Sequence, residues 1–430
     1  MTREMKDSGI EWIGKIPENW EVKKLKYCSS FIQAKYDSEL GELPYIGLEN
    51  IVSWNGNYID TDSVYDRNQS LVFAADDILW GKLRPYLAKV YHAPRNGCCS
   101  GEFCVIRVMD HLDKRYFWNL LITSEFVETV NRSTYGTKMP RANADFIKNI
   151  KVPIPPVDEQ ERIACFLDSE CSRIDAVIEK TRASIEEYKK LKQSVITEAV
   201  TKGIRPNRQM KDSGVEWIGE IPADWKTISF RHVLHERNEK NSPIKSTERL
   251  SLSIDLGVTL YADKTTNLDR FKEDFEQYKL AHTGDLVMNS MNMIVGATGV
   301  SSYYGCVSPA YYTFYDDEKD HVTAKFCEYI FRSKTMLRVL YSIGKGIYAI
   351  ARGDDRVNTC RLKVSREDLR SIPIPFPDII EQREIVAYLG QKCEEIDCLI
   401  EKKELFICDL ETYKKSLIFE YVTGKKEVHA

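Results

Sequence analysis

Residues 159–203 read EQERIACFLDSECSRIDAVIEKTRASIEEYKKLKQSVITEAVTKG. Residues 381–425 are similar to this stretch and align with it without a gap. The apolar residues of both copies recur in steps of three and four, which is the spacing of an amphipathic helix. At about 1.5 Å per residue, each copy predicts a helix on the order of 60 Å long. A helix of this length with a narrow apolar seam needs a partner helix. Its natural partner is the other copy, so the repeat predicts an antiparallel pair with a pseudo-two-fold axis.

A shorter repeat lies upstream of each predicted helix. Residues 5–20 read MKDSGIEWIGKIPENW and residues 210–225 read MKDSGVEWIGEIPADW, with twelve of sixteen positions identical. The segments between the repeats, 21–152 and 226–371, do not resemble each other. Both contain short aromatic and β-branched runs broken by Gly, Asn and Asp, which is typical of mixed α/β structure.

We therefore predict an α+β protein in which two globular mixed α/β domains are separated by a coiled coil of two long antiparallel helices. The predicted divisions are a first domain over 1–152, a spacer helix over 153–204, a second domain over 205–371, and a second spacer helix over 372–430.

The composition excludes several classes of protein. With 43% hydrophobic and 29% charged residues, the chain is neither disordered nor collagen-like. No run approaches the roughly 20 apolar residues of a membrane span, and the first residues have no apolar signal core, so we expect a cytoplasmic protein that does not bind a membrane. Twelve cysteines without a CxxC pair indicate reduced thiols rather than a zinc site.

The chain lacks the motifs of a phosphate-binding loop, a dinucleotide-binding fold and an HExxH metal site. These observations predict a chain that binds rather than catalyses, and that holds no metal and no cofactor of its own.

The formal net charge of −4 is a sum of opposite charges. Segments 21–152 and 226–371 carry net charges of +1 and +3, whereas the helical stretches 158–204 and 378–430 carry −2 and −4. Clusters of Lys and Arg inside the two segments are typical of phosphate binding. Most charge runs are only solvated faces, so charge alone leaves the partner open.

The first segment contains the stretch Asp77-Ile-Leu-Trp-Gly-Lys-Leu-Arg-Pro-Tyr86. Its alternation would project two cations and an aromatic ring from one side of a strand and loop, and a hairpin whose cations merely reach solvent is the alternative. The DNA-binding candidates of this segment are Lys82, Arg84, Tyr86, Lys138 and Arg141.

The second segment contains Gly284-Asp-Leu-Val-Met-Asn-Ser-Met-Asn-Met293, followed by a basic, glycine-containing loop. Amide and hydroxyl groups can pair with base edges, although a glycine-rich turn between strands uses the same residue types. The DNA-binding candidates here are Asn289, Ser290, Asn292, Lys345, Arg352 and Arg356.

In combination these motifs resemble the specificity (S) subunit of type I restriction–modification systems. The resemblance rests on the repeated KDSGxEWIGxIPxxW, on the repeated proline-rich lead into a long helix beginning near Glu-Gln, and on DILxGKLRPY and GDLVMNxM. It implies that the unlike segments are target-recognition domains, each reading one half of a bipartite, asymmetric DNA site. The chain would thereby direct adenine-N6 methylation and restriction by partner subunits.

The resemblance also implies the partners, which are double-stranded DNA, two methyltransferase subunits and motor-nuclease subunits. S-adenosylmethionine, ATP and Mg would bind to those partner subunits. The residues that it suggests for the subunit interface and the helix pair are Glu159, Gln160, Ile163, Leu167, Ile174, Ile178, Glu179, Glu381, Gln382, Ile385, Leu389, Ile396, Ile400 and Glu401.

Two alternatives remain open at this point. A fused methyltransferase or nuclease would need cofactor motifs that the sequence lacks. A coiled-coil scaffold without sequence-specific DNA binding would explain the helices, but it gives no reason for two unlike, basic domains in matched positions.

Overall fold

The computed structural model divides into two compact units, one formed by residues 1–182 with 404–430 and the other by residues 183–403. The residues that it describes are 3–37, 41–61, 70–134, 136, 139–254, 256–264, 274–317, 320–347 and 361–428. The unit boundary falls inside both long helices, so each unit contains one globular domain and a half of each helix.

The first unit is a mixed α/β structure. Its strands are β1 (Met5–Asp7), β2 (Lys15–Pro17), β3 (Glu21–Lys24), β4 (Ser29–Ile32), β5 (Tyr45–Ile46), β6 (Leu71–Phe73), β7 (Ile78–Gly81), β8 (Val90–His92), β9 (Gly97–Cys99), β10 (Phe103–Val108) and β11 (Lys151–Ile154). Its short helices are α1 (Lys114–Leu121), α2 (Ser124–Arg132) and α3 (Ala144–Asn149). Asp113, Thr123 and Asn143 cap these helices, because each side chain accepts a backbone N–H of the first turn.

A four-stranded antiparallel sheet of order β4-β10-β7-β8 forms the centre of the first unit, and a second sheet has the order β5-β9-β6. The central strand β7 is buried along its whole length. Ile78 and Trp80 enter a core shared with the helices, whereas Leu79 enters a smaller core with Phe73 and Phe103. Because successive side chains of a strand point to opposite faces of the sheet, both faces of β7 are buried, each against a different core.

The second unit repeats this architecture after the first long helix, α4 (Val157–Lys202). Its strands are β12 (Met210–Asp212), β13 (Glu220–Pro222), β14 (Lys226–Ser229), β15 (His235–Arg237), β16 (Leu250–Ser253), β17 (Gly257–Leu260), β18 (Lys279–Ala281), β19 (Leu286–Asn289), β20 (Thr298–Val300), β21 (Gly305–Val307), β22 (Tyr311–Tyr315), β23 (Lys345–Ile347), β24 (Arg361–Lys363) and β25 (Pro373–Phe376). Its helices are α5 (Tyr261–Lys264), α6 (Val322–Arg332), α7 (Lys334–Ile343), α8 (Arg366–Ser371) and the second long helix, α9 (Ile379–Val422).

The unlike segments share one fold. The second unit has an antiparallel sheet of order β15-β22-β19-β20, which matches β4-β10-β7-β8 strand for strand. Its central strand β19 is also fully buried, with Leu286 and Met288 on one face and Val287 on the other. The duplication therefore extends beyond the repeats that the sequence shows.

The two long helices run antiparallel inside each unit. In the first unit the Phe166 ring lies 4.5 Å from that of Tyr421, and Lys414 Nζ lies 2.7 Å from Asp175 Oδ2. In the second unit Lys192 Nζ lies 2.6 Å from Asp397 Oδ2, and the Arg205 guanidinium bonds Glu384. The predicted fold class, two mixed α/β domains with two long antiparallel helices, is confirmed. The predicted domain boundaries themselves stay a prediction.

Candidate nucleic-acid interface

A buried aspartate precedes the central strand in both domains. Asp77 stands before β7 and forms two hydrogen bonds of 2.8 and 2.7 Å with the Arg107 guanidinium. Asp285 stands before β19 and is held in the same way by Arg237, at 2.7 and 3.1 Å. Each aspartate also accepts a backbone N–H three residues upstream. The hydrogen bonds to Asp77 raise the pKa of the Arg107 guanidinium. These pairs fix where each central strand begins and where the following turn lies.

The turn after β7 contains the predicted residues of the first domain. The Lys82 N–H donates to Glu102 O at 2.8 Å, and Lys82 O accepts the Ala142 N–H at 2.9 Å. Arg84 has the left-handed conformation, with φ 52° and ψ 62°, and leads into a 3-10 helix over Pro85–Leu87. Proline suits the first helical position because its φ is already fixed. The backbone thus presents residues 82–86 as a rigid turn.

The side chains of this turn differ in their surroundings. Arg84 is exposed, and within the described part of the chain its guanidinium has neither an ion pair nor a hydrogen bond. Tyr86 is 45% exposed. Arg141 bridges to Leu83 through the backbone and forms an ion pair with Glu102. Lys82 is half-buried, and the predicted Lys138 lies outside the described residues.

The turn after β19 occupies the same place in the second domain. The Val364 N–H donates to Ser290 O at 3.0 Å, just as Ala142 donates to Lys82 O. Asn292 then leads into a 3-10 helix over Met293–Val295. The structure thereby brings two predicted groups, residues 82–86 and 289–292, to equivalent positions. The shared signal in the sequence is Asp followed by two aliphatic residues, at 77–79 and 285–287.

The three polar candidates of this second turn are not equally accessible. Asn292 is exposed. Asn289 is buried and its Oδ1 accepts the Met291 N–H at 3.1 Å. Ser290 is fully buried, and its Oγ has no partner among the residues that the structure describes. Asn292 is therefore the member of this group that a macromolecule could reach without movement of the turn.

Lys345 begins β23 and is exposed, and its Nζ lies 3.1 Å from Asp368 Oδ2. Arg352 and Arg356 lie outside the described residues. The sequence analysis missed two neighbours, Lys363 and Arg366, which line the same cleft as Lys345. Both lie among the clustered Lys and Arg residues of segment 226–371, and this clustering was the only signal available for them.

Comparisons with known proteins agree with this duplicated architecture. Residues 17–187 match the family described as type I restriction modification DNA specificity domain. The type I restriction enzyme MjaVIII specificity subunit of Methanocaldococcus jannaschii is 24% identical over 434 residues, which cover 96% of this chain and 94% of the relative. The EcoDI specificity subunit of Escherichia coli is 25% identical over 216 residues, or 49% of this chain and 44% of its own. The chain is therefore similar along nearly its whole length to specificity subunits of type I restriction–modification systems, and residues 17–187 match the DNA specificity domain of that family.

Solved structures show the same fold for this chain. A chain from a study of complex assembly and conformational transition of the type I R-M system matches with a TM-score of 0.69 and 16% identity, over 96% of this chain and 99% of that one. The HsdS subunit from Thermoanaerobacter tengcongensis matches with a TM-score of 0.52 and 18% identity, over 96% and 98%.

Two of the residues predicted at an interface, Glu159 and Glu381, instead form buried contacts between the short and the long repeats. Glu159 Oε2 accepts the Trp20 Nε1–H at 2.9 Å and a hydrogen bond of 2.8 Å from Arg3. Glu381 Oε2 accepts the Trp225 Nε1–H at 2.9 Å, and Arg208 pairs with the same carboxylate. Sequence reasoning did not assign the two tryptophans or the two arginines, although both tryptophans end the short repeat.

Gln160 and Gln382 are also buried. Each donates its Nε2–H to a proline carbonyl five residues upstream, at 2.8 and 2.9 Å. Gln160 Oε1 accepts the Asp113 N–H at 3.0 Å, which ties helix α4 to the cap of α1. Gln382 Oε1 has no partner among the described residues. Both glutamines thus fix the corner between strand and long helix.

Most of the apolar residues predicted for the helix pair belong to the cores of the two units. Ile163, Leu167, Ile174 and Ile178 belong to the core of the first unit, and Ile385 and Leu389 belong to that of the second. Ile396 is buried and Ile400 is half-buried. Glu179 and Glu401 are exposed, so both remain available to a partner. Whether they contact a subunit stays a prediction.

Neither a metal site nor a membrane span emerges from the described residues. Within those residues there is no group of three or more His, Cys, Asp or Glu side chains placed to hold a metal ion. No helix over the same residues is long and apolar enough to cross a membrane.

Proposed function

We propose that this chain is a sequence-specific DNA-binding subunit whose two domains each read one half of a bipartite, asymmetric site. The observation that carries the proposal is the equivalence of the two turns, which follow the same buried aspartate and strand but bear different side chains. Two domains with the same strand order and different contact residues could each recognise a different half-site. The similarity to type I specificity subunits supports the same function.

The chemistry of each turn suits contact with a duplex. Arg84 has an exposed guanidinium without a partner among the described residues, and this group can bond guanine O6 and N7 or a phosphate. Asn292 has an exposed amide, which can bond adenine N6 and N7. Tyr86 and the other basic side chains near the first turn would hold the sugar-phosphate backbone.

The proposal extends to a complex with other subunits. Two methyltransferase subunits would dock on this chain and transfer a methyl group from S-adenosylmethionine to adenine N6 after base flipping. Motor-nuclease subunits would use ATP and Mg to cut unmodified DNA. This chain would determine which DNA sequence is bound and how the other subunits are placed on it. It would not catalyse a reaction itself, and it would act in the cytoplasm.

The test is DNA protection by the chain purified with its methyltransferase partner. The complex should protect one bipartite sequence, and Arg84→Ala should weaken discrimination at the half-site of the first domain by about 1–3 kcal/mol. Asn292→Ala should act only on the other half-site. Arg132→Ala is the matched control, because that exposed guanidinium already pairs with Glu128.

Two results would contradict the proposal. Binding without any sequence preference would favour the coiled-coil scaffold. A change of preference at the half-site of the other domain would show that the two turns are wrongly assigned.

A further inference from the structure

A cleft of about 330 Å³ lies beside the second turn and is lined by Tyr312, Lys345, Lys363, Ser365 and Arg366. Lys345 and Lys363 stand directly opposite each other on β23 and β24. Like charges in directly opposed positions of an antiparallel pair destabilise it unless an anion lies between them. This arrangement therefore favours a bound anion.

The neighbouring acids neutralise only part of this charge. Lys345 Nζ lies 3.1 Å from Asp368 Oδ2, and Arg366 Nε lies 3.3 Å from Glu236 Oε1. Lys363 is exposed, and within the described residues its ammonium has no acidic partner. Among the residues that the structure describes, one positive charge of the cleft is therefore without an acidic partner.

The cleft is joined to the turn through the backbone. The Val364 N–H donates to Ser290 O at 3.0 Å, and the Tyr312 hydroxyl donates to Val364 O at 3.1 Å. Lys363 is adjacent to Val364, so its position is fixed relative to the turn. An anion in the cleft would therefore be held in register with whatever the turn contacts.

In the first domain, the basic residue equivalent to Lys363 has an acidic partner. Its equivalent of Lys363 is Arg141, since Ala142 and Val364 make the same hydrogen bond to their turns. Arg141 pairs with Glu102, the residue before β10. The residue before β22 is Ala310, which has no charge. The carboxylate that neutralises Arg141 in the first domain thus has no counterpart at position 310 of the second domain.

We propose that the cleft binds one phosphate of the DNA backbone, with Lys363 as its main ligand, beside the half-site that the second turn reads. The inference rests on the proposed function, because it names a positioning contact of the same interface. A phosphate fits the chemistry, since ammonium and guanidinium groups donate to its oxygens without reading the base.

The test measures the affinity of the chain with its methyltransferase partner for its protected duplex between 50 and 200 mM salt. Loss of one phosphate contact lowers the slope of log affinity against log salt by about 0.9, so the advantage of the wild type over Lys363→Gln should shrink about threefold across this range. Base preference should not change. Ala310→Glu should have the same effect, because its carboxylate would pair with Lys363 as Glu102 pairs with Arg141.

Lys325→Gln is the control, an exposed lysine of α6 in the same unit that does not line the cleft. An unchanged slope in both variants, with sequence preference intact, would overturn the phosphate site and leave the proposed function standing. A changed base preference in Lys363→Gln would mean that this lysine reads a base. Loss of preference in the wild type would instead refute the proposed function.

Discussion

The residues that fasten each short repeat to a long helix are a tryptophan, a buried glutamate and an arginine. Trp225 and Arg208 meet on Glu381, and Trp20 and Arg3 meet on Glu159. The tryptophans also contact the end of the other long helix, since a Cβ on Gly203 would lie 3.1 Å from the Trp225 ring. Gly203 has φ +75°, so a side chain there would also strain the backbone. One indole thus joins both helices of its unit.

Glu381→Ala should lower the free energy of unfolding of the second unit by about 3 kcal/mol. The Trp225 N–H would lose its acceptor, and the largely buried Arg208 would lose one of its two carboxylates. The control is Glu384→Ala on the same helix, whose exposed pair with Arg205 contributes about 0–1 kcal/mol. Urea unfolding followed by tryptophan fluorescence checks both, and equal effects would contradict this role of Glu381.

The long helices follow the expected pattern of a buried seam and charged outer faces. Intrahelical ion pairs such as Arg173 with Glu170 lie on the outside. The seam serves two purposes, because it packs the helices together and closes the core of a globular domain. The sequence analysis expected only the first of these. A helix that completes a domain core cannot be separated from that domain as an independent spacer.

Leu389→Ala on α9 should destabilise the second unit by about 2–5 kcal/mol, since the side chain is 0% exposed and its removal leaves a cavity. Leu399→Ala on the same helix is the matched control, because that leucine is 41% exposed. Its effect should lie within about 0.5 kcal/mol. Thermal unfolding checks the pair, and a large effect of Leu399→Ala would reveal a contact absent from this fold.

At the scale of the whole molecule, the first unit is built from both ends of the described chain. Leu417, Ile418 and Val422 are buried in the core that contains Trp20. The single O–H of Tyr116 is shared between the carbonyl oxygens of Pro153 and Val422, at 3.1 and 2.9 Å, and burial raises the pKa of this tyrosine well above its usual value. The stability of the first unit therefore depends on residues more than 300 positions apart in sequence.

Deletion of residues 404–430 should unfold the first unit and leave the second folded. Three buried aliphatic side chains contribute about 1.5–3 kcal/mol each, which together approaches the whole stability of a domain. Hydrogen exchange should show loss of protection in β7 and β10 and retained protection in β19 and β22. Equal loss in both units would contradict the division of the chain, and so would protection of β7 that survives the deletion.

The sequence by itself determined the two long helices, their antiparallel pairing and the presence of two similar units. Helical periodicity and repeats are local patterns, so they can be read without knowing which distant residues meet. The same reasoning marked Arg84 and Asn292, because residue type and turn chemistry are also local.

Only the tertiary structure decided that the unlike segments share one strand order and that residues 82–86 and 289–292 are equivalent. Their folds are specified by which residues are buried, and this is fixed by contacts between distant strands rather than by identity of sequence. The same holds for Glu159 and Glu381, which resemble exposed helix residues until the distant tryptophans cover them. It holds for Lys363, too, because its position opposite Lys345 follows only from the pairing of β23 with β24.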